Sequence, residues 1–119
     1  MNTVVVGVSS REEVNARFLR ALETGKQQGA YRNFESTAEL WHTLSPKRWD
    51  VLKVMTGAGA LSLREVARRV HRDVKGVHSD AHALLNAGLL DKTDDGKIIF
   101  PFESVHVDFM LQAAELLDS

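Results

Sequence analysis

The chain of 119 residues contains no cysteine, only two prolines and few aromatic residues. The lack of cysteine excludes disulfide bonds, thiolate metal sites and cysteine nucleophiles. No apolar run approaches the roughly 20 residues that a membrane-spanning helix needs. The apolar stretch Thr3–Val8 is too short for a signal peptide and has no basic flank. We therefore expect a cytoplasmic protein without a membrane partner.

Sequence motifs of catalysis are also missing. The chain has no G-x-S-x-G, no phosphate-binding glycine loop and no H-E-x-x-H. Gly57-Ala58-Gly59 is interpreted as a loop between helices. The acidic pairs Glu12-Glu13 and Asp94-Asp95 belong to a helix start and to a turn. We expect neither an enzyme nor a bound cofactor.

The charge is unevenly distributed, although the net charge is only −1. Residues 1–45 hold five basic and five acidic side chains, and residues 46–82 hold eight basic and four acidic ones. Residues 83–119 hold two basic and seven acidic side chains. Because phosphate affinity depends on local lysine and arginine, the middle third is the expected nucleic-acid face.

Residues 45–103 show three helical patterns followed by two short strands. Ser45-Pro46, the pair Ser62 and Glu65, and Asp73 are typical helix starts. The third helix, about Val74–Asn86, is expected to bury Val74, Val77, Ala81, Leu84 and Leu85. Strands over 89–92 and 97–102 enclose the turn at Asp95-Gly96. This order predicts an α+β, mostly α fold, a winged helix-turn-helix.

Two further segments flank this domain. In residues 1–44 we predict an arm with a strand at Thr3–Val8, a helix over 11–26, a strand over 31–35 and a short helix after Ser36. The first helix has an apolar stripe of Val14, Phe18, Ala21 and Leu22. For residues 104–119 we predict a C-terminal extension that contains one strand and then a helix over residues 110–117. The sequence leaves open whether the first strand pairs within one chain or between two.

The third helix of residues 45–103 is the expected element for the DNA major groove. Contacts to bases come from its polar face, and contacts to phosphates come from the preceding helix and the strand pair. The candidate DNA-binding residues are Ser62, Arg64, Arg68, Arg72, Lys75, His78, Ser79, His82, Lys92 and Lys97. The alternative is a domain of this fold that contacts only proteins.

His78 and His82 are four residues apart, a spacing that can hold a metal ion. Two histidines are only half of a typical site, and His106 and Asp108 would complete it only across a subunit boundary. The favoured interpretation is that the two histidines are polar groups on a DNA-facing surface, without a metal.

Many large apolar residues lie outside the helix-turn-helix pattern. They are Phe18, Phe34, Trp41, Phe109, Met110, Leu111, Leu116 and Leu117. They either extend a single core or form a dimer interface from the arm and the C-terminal segment. We favour the homodimer, because two-fold symmetry doubles the phosphate contacts and suits a palindromic site.

A resemblance supports this interpretation. The segments LSPKRWDVLKVM, LSLREVARRV, RDVKGVHSDAHALLNAGLL, DKTDDGKIIFPF and ESVHVDFML resemble, in order and spacing, a family of prokaryotic DNA-binding proteins. These are winged helix-turn-helix regulators related in architecture to the MarR and ArsR groups, and the match covers roughly residues 40–111. Members often act as antitoxins or autoregulators of toxin–antitoxin loci.

Two functional hypotheses follow. The first is a sequence-specific transcriptional regulator that binds double-stranded DNA as a dimeric repressor. The alternative is an antitoxin that neutralises a small protein toxin by direct binding and represses its own operon. An enzyme ranks behind both.

Overall fold

A computed structural model of the chain describes residues 2–25 and 30–109. Within these ranges the fold is α+β, with five helices and two small sheets. The elements in chain order are β1 (Thr3–Val8), α1 (Arg11–Thr24), β2 (Tyr31–Phe34), α2 (Thr37–Thr43), α3 (Pro46–Met55), α4 (Leu63–Val70), α5 (Val74–Asn86), β3 (Asp91–Lys92), β4 (Ile98–Ile99) and β5 (Ser104–Asp108). None of these helices is long and apolar enough to cross a membrane.

The larger sheet joins the beginning and the end of the described chain. Its three strands are all parallel and lie in the order β2-β1-β5, with Val6 paired to Arg32 and Val4 paired to Val105. The first strand therefore pairs with two strands of its own chain. The sequence predicts domain boundaries at residues 44 and 104. The sheet crosses both of them, because β1 and β2 come from the predicted arm and β5 comes from the predicted C-terminal extension. The expected helix over 110–117 lies outside the described residues.

Serine and aspartate side chains begin four of the five described helices, as the sequence predicts. Ser10, Ser36, Ser62 and Asp73 each accept a hydrogen bond from the backbone N–H three residues later. Ser45 makes no such bond, and Pro46 follows it at the first helical position. His71 ends α4 in the left-handed region, at φ 58°, which turns the chain sharply into α5.

The helices α3, α4 and α5 pack on one another, and Ile98 of the antiparallel pair β3–β4 belongs to the same buried core. A backbone bridge from Leu61 to Ile98 fixes the start of α4 against β4. The paired strands are shorter than predicted, because only Asp91–Lys92 and Ile98–Ile99 form a ladder. Leu89, Leu90, Phe100 and Phe102 contribute instead as buried residues outside the ladder.

One core connects the sheet with the helical unit. It includes Val4 and Val6 of β1, Leu40 of α2, and residues of every helix from α3 to α5. The predicted burial of Val77, Ala81 and Leu84 is confirmed. The predicted burial of Val74 is wrong, since Val74 is 41% exposed. It stands at the first position of α5, one turn before Val77, the first buried residue of that helix.

Helix α1 differs from the other described helices because it buries no residue. Its apolar stripe is open to solvent, with Phe18 63% and Leu22 65% exposed. It contacts the sheet through Arg17, whose guanidinium lies 3.9 Å from the centre of the Tyr31 ring and donates to Ser9 Oγ at 3.2 Å. Phe18 and Leu22 are therefore mostly open to solvent among the described residues, whereas Val14 and Ala21 of the same stripe are half-buried.

Candidate nucleic-acid interface

The outward face of α5 carries four of the predicted DNA-binding residues. Lys75, His78, Ser79 and His82 follow the i, i+3, i+4, i+7 spacing of one helical face, and all four are exposed. The opposite face is buried in the core. The structure thus brings these four side chains together on one accessible surface, which we call the α5 face.

The start of α5 is tightly built. Asp73 Oδ1 accepts from the Gly76 backbone N–H at 3.0 Å. A Cβ at Gly76 would lie 2.9 Å from this oxygen and 3.1 Å from Arg72 Nη2. Glycine therefore stands here because the cap and the arginine occupy the space that a side chain needs. Lys75, beside it, extends into solvent, where it forms no ion pair with residues 2–25 or 30–109.

Two of the predicted phosphate-binding groups lie one turn apart on α4. Arg64 is exposed and has no ion-pair partner among the described residues. Arg68 instead binds Glu65, with its Nη2 2.7 Å from Oε1 and its Nε 2.9 Å from Oε2. The hydrogen bond from Arg68, helped by the charges of Arg68 and Arg69, lowers the pKa of Glu65. The same hydrogen bond raises the pKa of Arg68.

The hydroxyl of Ser62, a further candidate, accepts from the backbone N–H of Glu65 at 3.1 Å. Its O–H remains available as a donor, because the cap uses only the oxygen as acceptor. Phosphate binding by Arg64 would need no rearrangement of ion pairs, whereas phosphate binding by Arg68 would compete with Glu65.

Arg72 is placed differently from the expectation that it reaches the DNA backbone. Its Nη2 lies 2.7 Å from Asp80 Oδ2, and both side chains are mostly buried, at 23% and 13% exposure. Asp80 Oδ1 also accepts from Arg48 Nε at 3.2 Å. Arg48 in turn donates through Nη1 to the carbonyls of His42 and Thr43, at 3.3 and 3.4 Å. We call Arg48, Asp80 and Arg72 the Asp80 clamp; it connects α2, α3, α5 and the turn before α5.

The two predicted lysines of the β3–β4 pair differ in their surroundings. Lys92, in β3, is exposed and has no ion pair within the described ranges. Lys97 Nζ lies 3.8 Å from Asp95 Oδ2 in the connecting turn. A hydrogen bond from Thr93 and the charge of Lys97 lower the pKa of Asp95. Asp95 therefore stays ionised and partly neutralises Lys97.

Sequence reasoning missed the Asp80 clamp, since Arg48 and Asp80 are 32 positions apart and nothing local connects them. A local signal was present for Glu65, because Arg68 and Arg69 follow it at the i+3 and i+4 spacings of helical ion pairs.

A second candidate surface is an apolar cavity of about 620 Å³, a size typical of ligand pockets. It is lined by Trp41, Leu44, Pro46, Trp49, Val107 and Phe109. Trp41 and Phe109 contact each other edge to face at 5.4 Å between ring centres. Trp41 is 53% exposed and Phe109 is 38% exposed, so these two residues are not buried as the alternative of a single enlarged core requires. Phe34, by contrast, is buried.

Comparison with known proteins gives one family. The family model named HVO_A0114 matches residues 43–107, slightly more than half of the chain. The chain belongs to the HVO_A0114 family. The matched range contains α3, α4, α5, β3, β4 and most of β5, and every candidate DNA-binding residue lies within it. No curated protein and no solved structure matches the chain.

Proposed function

We propose that this HVO_A0114 family protein is a sequence-specific DNA-binding transcriptional regulator that acts as a dimeric repressor. In this proposal α3, α4 and α5 form a helix-turn-helix, and β3–β4 forms its wing. The observation that carries it is the α5 face: four exposed polar side chains stand on one side of a helix whose other side is buried.

The dimensions of α5 suit the major groove. Its 13 residues span about 20 Å, and a groove about 12 Å wide admits one helix. The imidazoles of His78 and His82 and the hydroxyl of Ser79 are groups that hydrogen-bond to base edges. Lys75, at the first turn, is positioned for a phosphate beside the groove.

The available positive charge supports a modest electrostatic contribution to affinity. Arg64, Lys75 and Lys92 have no ion-pair partner among residues 2–25 and 30–109, so they can neutralise phosphates directly. Arg68 and Lys97 must first leave Glu65 and Asp95. Each phosphate that a cation neutralises contributes about 0.9 to the slope of log affinity against log salt.

Lys75→Ala tests the proposal. The purified protein first selects fragments from genomic DNA, and fluorescence anisotropy then measures affinity for a selected duplex at several salt concentrations. We expect weaker binding and a slope smaller by about one unit, because one phosphate contact is lost. Arg20→Ala is the matched control, since it removes one exposed helical charge from α1, outside the proposed DNA-binding unit. Unchanged affinity and slope in Lys75→Ala, or an equal loss in Arg20→Ala, contradicts the assignment of the α5 face.

The exposed stripe of α1 supports the dimer. Phe18, Leu19 and Leu22 are 63%, 57% and 65% exposed, an apolar patch on a helix without any buried residue. A two-fold axis would place two such patches against each other and remove both from water. Light scattering on Leu22→Glu should show a shift from dimer to monomer, whereas Glu23→Ala should stay dimeric. A wild-type protein that is monomeric at all accessible concentrations contradicts this part of the proposal.

The same stripe is the observation that favours the alternative function, an antitoxin that binds a small protein toxin. A monomeric wild-type protein that co-purifies with the product of a neighbouring small gene would support it. Loss of that complex in Leu22→Glu would place the toxin on α1.

A further inference from the structure

Two histidines of the α5 face, His78 and His82, lie side by side with their rings in contact. His78 Nε2 and His82 Nε2 are 3.0 Å apart, and the two ring centres are 4.2 Å apart. Both side chains are exposed. The two ε nitrogens lie within hydrogen-bond distance of each other, and the tautomers of the two rings decide which of them donates.

This separation also fits two imidazoles that share one metal ion. Zinc–imidazole bonds are about 2.0–2.1 Å long. Two such bonds at angles between a right angle and the tetrahedral angle place their nitrogens roughly 2.8–3.4 Å apart. The observed 3.0 Å lies within this range. We propose that His78 and His82 bind one divalent transition-metal ion through their Nε2 atoms.

The class of ion follows from the ligands. Imidazole nitrogens suit zinc, copper and nickel, whereas magnesium and calcium prefer oxygen. Binding needs a lone pair on both Nε2 atoms. A ring that carries its proton on Nε2 must therefore move it to Nδ1 before it binds the ion.

The site is open. Within residues 2–25 and 30–109, no group of three or more histidine, aspartate or glutamate side chains is arranged to hold a metal. Two protein ligands leave the remaining coordination positions to water. An ion held there adds two positive charges to the α5 face and offers exchangeable positions to an incoming ligand.

A consequence for DNA rests on the proposed function. If α5 enters the major groove, the exchangeable positions face base edges and phosphates, where purine N7 atoms and phosphate oxygens are acceptors. The ion then replaces water with a DNA ligand and strengthens the complex. Zinc should therefore raise the affinity of the wild-type protein for its selected duplex, and a chelator should reverse the effect.

Calorimetric titration with zinc chloride tests the site without DNA. The tag-free, full-length protein is first treated with a chelator, which is then removed. We expect one ion per chain, and at least tenfold weaker binding in His78→Gln and in His82→Gln. His42→Gln is the control, because His42 is an exposed histidine on another helix, α2. The three substituted positions are exposed, so equal thermal melting temperatures would show that all variants are folded.

The outcomes separate the two proposals. Zinc binding that is unchanged in His78→Gln and His82→Gln, or weakened equally in His42→Gln, overturns the metal site. A protein that binds zinc through the pair but retains no duplex keeps the metal site and refutes the DNA-binding function. Zinc-enhanced DNA binding in wild type that is absent in His82→Gln supports both.

Discussion

Replacement of Asp80 by asparagine should lower the free energy of unfolding by about 2 kcal/mol. Asp80 is the only anion within 4 Å of both Arg48 and Arg72 among the described residues, at 3.2 and 2.7 Å. Asparagine keeps the size of the side chain but removes the charge. The variant would leave two mostly buried guanidinium groups, each 23% exposed, without their carboxylate.

The magnitude lies between two limits. Loss of one partner from a fully buried ion pair costs about 3–5 kcal/mol, whereas an exposed pair contributes about 0–1 kcal/mol. The clamp is mostly buried, but water still reaches all three groups, so a value near the middle applies. For a chain of this length, about 2 kcal/mol corresponds to a drop of about 8 °C in melting temperature.

Urea denaturation and thermal melting measure this effect at one fixed protein concentration, because any dimer would make stability depend on concentration. Asp50→Asn is the matched control. Asp50 pairs with Lys53 at 3.8 Å, and both side chains are more than 60% exposed. We expect the control to change stability by less than about 0.5 kcal/mol. If the two variants are equally stable, the clamp does not stabilise the packing of α5 and its assigned role is refuted.

Two other predictions concern α4. Ser62→Ala should lower the free energy of unfolding, measured in urea, by about 1 kcal/mol, because the Glu65 N–H loses its capping acceptor. Ser79→Ala, on the exposed α5 face, should leave stability nearly unchanged. A larger loss in Ser79→Ala than in Ser62→Ala would contradict the capping role. Glu65→Gln tests the lowered pKa of Glu65. Because the folded pKa is depressed, ionised Glu65 stabilises the fold above its unfolded pKa and loses that contribution as pH falls through the folded value. The melting temperatures of wild type and Glu65→Gln should therefore differ at neutral pH and converge in acid; a constant difference would show that the carboxylate charge is not involved.

Local physical chemistry made much of the helical unit predictable from the sequence. A helix cap is recognised from a serine or aspartate that stands just before a helical pattern. Its side chain accepts from the backbone N–H three residues later, so Ser10, Ser36, Ser62 and Asp73 could be identified from local sequence. The exposed set Lys75, His78, Ser79 and His82 followed in the same way from helical periodicity. The lengths of β3 and β4 were less predictable, because buried apolar residues continue on both sides of the paired segments.

The prediction for Arg72 shows where local reasoning stops. From sequence, Arg72 was one more cation beside a DNA-facing helix. In the structure Arg72 Nη2 lies 2.7 Å from Asp80 Oδ2, and the same carboxylate also binds Arg48 of α3. Arg72 precedes α5 and Asp80 lies within it, so no helical spacing rule joins them or separates this arginine from the accessible Arg64.

The sequence by itself determined where the described helices begin, most of the buried side of α5, and which third of the chain is basic, since these depend on neighbours within a few residues. Only the tertiary structure decided that β5 lies parallel to β1, that Asp80 holds two arginines, and that Phe18 and Leu22 of α1 stay open to solvent among the described residues. Each of these depends on which distant surfaces meet, and that is set by the joint packing of the core.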